Sequence, residues 1–102
     1  MPGVHLKIPR QFKLMGHTIK VRFVQLDRKT DGEWRSDSKL IALSTRLHKK
    51  PRSYKEQVFL HEFFHCVLDH MGQTKLSNNE DFVDSMASAF HQALGGLLGS
   101  KR

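Results

Sequence analysis

Near Pro51 the spacing of apolar residues changes, and that change sets the fold class. Upstream, in FKLMGHTIKVRFV from Phe12, apolar side chains take alternate positions: Phe12 and Leu14, then Ile19, Val21 and Phe23 between Lys20 and Arg22. Successive strand residues face opposite sides, so the stretch reads as a hairpin with one apolar face, turning at Gly16. TDG at Thr30 to Gly32 is a second turn signal, and GEWR and KLIALS are two short strands split by SDS.

Downstream of Pro51 the spacing is helical. SYKE, Ser53 to Glu56, matches a capping box, with the serine as cap and the glutamate three residues on. The helix it opens is expected over about residues 53–71, and Gly72 suits its stop. SNNE, Ser77 to Glu80, is a second capping box. The helix after it is expected over about residues 78–97, its regular part ending near Leu94 at Gly95 and Gly96. The expected fold class is therefore α+β in one domain of 102 residues. A small antiparallel sheet of three or four strands, over about residues 4–44, precedes two helices.

A turn of about 100° per residue places Leu60, Phe63, Phe64, Val67, Leu68 and Met71 on one broad apolar face. His61 and His65 share one edge of it, about 40° apart. On the second helix Val83, Met86, Ala87, Phe90, Leu94 and Leu97 form the apolar face, flanked by Glu80 and Asp84. Packing the two faces together brings those flanks within reach of each other.

HEFFH, His61 to His65, fits H-E-x-x-H on a helix. Side chains four residues apart are neighbours, so two imidazoles can converge on one zinc with Zn–N bonds of about 2.0–2.1 Å. Glu62 projects about 100° from His61, toward a water on the metal. Zinc lowers the pKa of such a water to about 7, and a carboxylate there acts as general base. A catalytic zinc takes three protein ligands, and Glu80 is the candidate third. Asp84 is the alternative third ligand. Otherwise it is an acceptor that fixes the tautomer of a zinc histidine, His61 first. Local structure offers another reading of Glu80, as the acid of the SNNE capping box.

Other polar residues have simpler readings. His70 is expected at the helix end, Asp69 in solvent, and Cys66 as a buried free thiol. His91 reads as a partly exposed helix histidine, and Tyr54 as a packing residue at the helix start. A lone cysteine allows no internal disulfide, no stretch reads as a secretory signal or membrane span, and the expectation is a soluble cytoplasmic protein. The net charge of +7 favours acidic partners, with RLHKKPRSYK, Arg46 to Lys55, the densest basic stretch. No aromatic platform accompanies that stretch in the sequence.

HEFFH followed by EDFVDSMASAF resembles the zinc metallopeptidases of the ImmA/IrrE type. Those carry H-E-x-x-H on one helix and E-x-x-A-[ND]-x-F-A on the next. Glu80, Val83, Asp84, Met86 and Ala87 fall on the second pattern, with Val for Ala and Met for Phe. The Glu80–Asp84 spacing is also similar to that of the thermolysin-like gluzincins. IPRQFKLMGHTIKV and the sheet-then-helices order resemble small metallopeptidase-like proteins encoded by bacterial viruses, which implies a bacterial host cytoplasm. The resemblance implies a minimal zincin-like core and a zinc-dependent peptidase acting on peptide or protein. His61, His65 and Glu80 then hold Zn2+, Glu62 is the general base, and Asp84 supports a ligand. KLIALS is the expected strand along which substrate extends. The alternative is a weak or inactive zinc-stabilised module that binds nucleic acid or an acidic protein through Arg46–Lys55.

Overall fold

The computed structural model describes residues 7–99. Four strands form one sheet: β1 (Gln11–Leu14), β2 (His17–Val24), β3 (Gly32–Arg35) and β4 (Leu40–Ser44). A 3₁₀ turn, Thr45–Lys49, leads to helix α1 (Arg52–His70), a short helix α2 (Thr74–Ser77) and helix α3 (Glu80–Gly99). The class is α+β, with α1 lying between the sheet and α3. Residues 4–6 of the expected sheet lie outside the described residues, as does the side chain of Leu97.

The β1–β2 hairpin turns through Met15 and Gly16, at φ 48° and 84°. Two consecutive positive φ values match the twist that a two-residue turn needs between antiparallel strands. The resulting register pairs Phe12 with Ile19, so both face α1.

The sheet is mixed rather than antiparallel, in the order β1-β2-β4-β3. After β2 the chain passes over to β3 at the far edge, and the β3–β4 hairpin then returns β4 to the centre, parallel to β2. Burial explains the placement. Ile41, Ala42, Leu43 and Ser44 are all fully buried, which suits an interior strand, whereas every residue of β3 is half-buried. The loop before β3 is held by Arg46, whose guanidinium donates to the carbonyls of Leu26, Asp27 and Thr30 at 3.0, 2.8 and 2.8 Å. Arg46 is thus a structural residue and not an open docking cation.

Helix α1 is buried on two sides. Phe59 faces Phe12 of the sheet, Leu60 and Cys66 enter the same core, and Phe64 meets Phe90 of α3 edge to face. The helix starts at Arg52 with Pro51 before it and no side-chain cap, so Ser53 lies inside the first turn rather than capping it. Glu56, the expected partner in that box, is instead buried and lies 2.7 Å from Nε2 of His91. At the other end Gly72, at φ 74°, closes the helix as predicted. Gln73 N–H reaches Leu68 O at 2.8 Å and Gly72 N–H reaches Asp69 O at 3.0 Å, the Schellman pair of bonds. Met71 is left exposed just beyond the last turn.

Helix α3 runs antiparallel to α1, bringing Asp84 to His61 and Ser88 to Gln57. Its cap is Asn79, whose Oδ1 accepts from Phe82 N–H at 3.0 Å; Ser77 ends α2 instead of opening α3. Among the described residues of the expected apolar face, only Val83 and Ala87 are fully buried, while Met86 and Phe90 stay two-fifths exposed. The helix also continues through Gly95 to Gly99 instead of stopping near Leu94. Among the described residues no helix is long and apolar enough to cross a membrane.

The capping difference is measurable. Asn79→Ala should lower stability by about 1 kcal/mol in urea denaturation, while Ser53→Ala should change it by less than about 0.5 kcal/mol. Equal losses would contradict this assignment of the helix ends.

Candidate metal centre

Because Asn79 takes the capping role, Glu80 is the first residue of α3 and its carboxylate is free to turn toward α1. It does so. Glu80 Oε1 lies 2.9 Å from His61 Nε2, and Oε2 lies 3.3 Å from His65 Nε2. The two Nε2 atoms are 3.2 Å apart. One ligand atom from each of these three residues falls within 4.8 Å of the others, so the group could hold a metal ion.

The far side of each ring is also occupied. Asp84 Oδ1 lies 3.2 Å from His61 Nδ1, and Ser77 Oγ lies 3.1 Å from His65 Nδ1. A carboxylate can only accept, so His61 Nδ1 carries the proton. In a neutral ring the Nε2 lone pair then faces the Glu80 carboxylate. Two acceptors at 2.9 Å repel, unless the ring takes a second proton or a cation stands among the three groups.

The dimensions suit zinc. Tetrahedral coordination with bonds of about 2.0–2.1 Å separates ligand atoms by about 3.3 Å. The observed separations of 2.9, 3.2 and 3.3 Å lie close to that edge. The donor set of two imidazoles and one carboxylate is also a zinc set. Glu80 and Asp84 are largely exposed, and the two histidines mostly buried, so the group opens to solvent on its acidic side.

Glu62 lines a cleft of about 480 Å³ beside this trio, together with His61, Asp84, Gly32, Asp31 and Tyr54. Only 7% of Glu62 is exposed. Burial pushes its carboxyl up to about 7, with Glu80 and Glu33 adding to the rise and His61 opposing it. Room for Glu62 comes from Gly32. A Cβ at that position would sit 3.1 Å from both Glu62 Cγ and Val58 Cγ1.

Several neighbours differ from their simplest readings. Tyr54 is exposed, and its hydroxyl donates to Asp31 at the rim of the cleft instead of packing into the core. That bond and partial burial raise its pKa. Asp69 is not solvated but accepts from Trp34 Nε1 at 2.8 Å, tying β3 to α1. His70 binds Cys66 O through Nδ1 at 2.8 Å and lies beside the rings of His17 and Trp34. His91 pairs with buried Glu56, two turns along α3 from Asp84. Cys66 is buried as expected, and burial pushes its thiol up to about 12, far from thiolate character. Ser77 as a histidine partner is not legible in the sequence, where SNNE reads as a cap.

No protein-family model matches the chain, and no curated protein or solved structure is significantly similar to it.

The raised Glu62 pKa has a stability consequence for the metal-free protein. The folded state holds this proton up to about pH 7, whereas the ordinary value is 4.5. The contribution is complete below the ordinary value and is lost as pH rises through the folded one. Metal-free Glu62→Gln should therefore exceed wild type in stability at pH 8, by up to about 3 kcal/mol, and match it near pH 4. Urea denaturation in chelator reads the difference; a variant less stable at both pH values would contradict it.

Proposed function

We propose that this chain is a zinc-dependent peptide hydrolase of minimal size. One observation carries the reading: His61 Nε2, His65 Nε2 and the Glu80 carboxylate converge at ligand–ligand spacing, beside a buried acid, Glu62. Those three residues would hold the ion. Bound there, zinc supplies Lewis acidity, polarising a carbonyl and acidifying water.

The protein's own groups supply the rest. Glu62 takes a proton from the attacking water and returns it to the departing amine. Burial favours its acid form and a cation held by the trio would favour its carboxylate, so the two influences oppose each other at a group that must take and return a proton. Asp84 accepts from His61 Nδ1 and leaves that ring's Nε2 lone pair directed inward, while Ser77 orients the His65 ring from behind.

Substrate would lie along β3 rather than β4. Both edges of β4 are already paired, to β2 and β3, so KLIALS cannot accept another strand. The outer edge of β3 borders the cleft. Asp31 O binds Ser44 N–H across the β3–β4 pair, and antiparallel alternation then turns the main-chain groups of Gly32 and Trp34 outward. An extended peptide could add there by main-chain hydrogen bonds and pass Glu62.

The test is zinc content measured beside hydrolysis of a mixed peptide pool. Wild type should carry stoichiometric zinc and cleave peptides. Glu62→Gln should retain zinc and lose at least about a hundredfold in rate, while His61→Ala should lose the metal. Zinc retained with no cleavage by wild type would mean that the ion only fastens α1 to α3. Binding should also weaken from pH 8 to pH 5.5, because protons compete for the same ring nitrogens.

A further inference from the structure

We propose that a second, basic cavity at the start of α1 binds single-stranded nucleic acid. The cavity, of about 410 Å³, is lined by Lys7, Ile8, Phe23, His48, Arg52 and Lys55, with Glu56 beneath. None of these residues lines the cleft at Glu62. The inference is independent of the metal centre and of the hydrolase reading.

Its cations are available. Arg46, in the same basic run, is engaged by three carbonyl groups. No hydrogen bond or ion pair among the described residues engages the side chains of Lys7, Arg52 or Lys55. These cations converge from two parts of the chain, the segment before β1 and the first turns of α1. The one carboxylate nearby, Glu56, is 3% exposed and lies 2.7 Å from His91 Nε2, so it presents almost no negative surface to the cavity.

Charge alone would fit any polyanion, and the aromatic pair decides between them. Phe23 of β2 and His48 of the 3₁₀ turn stack with ring centroids 4.4 Å apart and planes inclined by 32°. The fold brings Phe23 under the basic run, although it lies far upstream in the sequence. Phe23 is half-buried and supports His48, whose ring is exposed. A base can stack on such a ring while its flanking phosphates meet Arg52, Lys55 and Lys7. A chain of acidic residues alone, such as polyglutamate, brings charge but no aromatic ring to stack there. Duplex DNA keeps its bases stacked on each other and offers only phosphates.

Fluorescence anisotropy with labelled oligo(dT) and oligo(U) tests this on the full chain at pH 8. Binding of either oligomer supports the proposal, and the stronger of the two identifies DNA or RNA as the source. Three neutralised phosphates predict a log–log salt slope of about −2, at about −0.7 per phosphate for single strands. Arg52→Ala with Lys55→Ala should weaken binding at least about tenfold and flatten the slope by about 1.4. His48→Ala should weaken it about fivefold with the slope unchanged. Lys13→Ala, an exposed cation of β1, should leave affinity unchanged, as should exchanging zinc for chelator. The proposal is overturned by no binding at low salt, by tighter binding of duplex, or by an equal loss in Lys13→Ala. It is also overturned if polyglutamate binds as well as the oligomers and His48→Ala is without effect.

Discussion

A helix packed on two sides leaves its polar side chains few directions. Helix α1 has the sheet on one flank and α3 on another, and its apolar residues serve both. His61 and His65 fall on the seam toward α3, while Glu62, one residue on, falls on the seam toward β3. Adjacent positions thus reach two different environments. One is a cluster of donors and acceptors open to solvent, and the other is the floor of a cleft, where Glu62 is almost fully buried. The separation of the histidine pair from the buried acid follows from that packing.

The cluster is electrostatically incomplete as a set of neutral imidazoles and carboxylates. Asp84 fixes a proton on the outer nitrogen of His61, which turns an unprotonated nitrogen toward Glu80. Either extra protons or a cation must relieve the opposition of acceptors. The same logic makes Asp84 more than a neighbour: by occupying Nδ1 of His61 it commits that ring's Nε2 inward, while Ser77 orients the His65 ring. The acid in the cleft reflects the opposite condition. Burial with few partners favours its neutral form, which a nearby cation would reverse.

The sequence shows some of this clearly and conceals the rest for physical reasons. Local periodicity identified both long helices, the hairpin at Gly16 and the stop at Gly72, since these depend on neighbours within a few residues. The i, i+4 histidines and the Glu80–Asp84 spacing were legible for the same reason. Helix starts were not: serine and asparagine cap about equally well, and the structure uses Asn79 as the cap while Ser77 lies against His65. The parallel pairing of β2 with β4 depends on a loop that crosses the sheet and is tied by Arg46, a contact across about twenty residues of chain. Trp34 with Asp69, His91 with Glu56 and Phe23 with His48 are likewise long-range meetings. A reading based on spacing sees each partner alone, and so placed Asp69 in solvent and the basic run without an aromatic.

X-ray absorption at the zinc edge asks directly whether one zinc ion is held by two imidazoles and one carboxylate between α1 and α3. The expected spectrum has a shell of nitrogen and oxygen at about 2.0–2.1 Å, with outer-shell scattering from two imidazole rings that falls to one in His65→Ala. A sulfur shell at about 2.3 Å, or protein that takes up no zinc from a zinc-replete buffer, would contradict it.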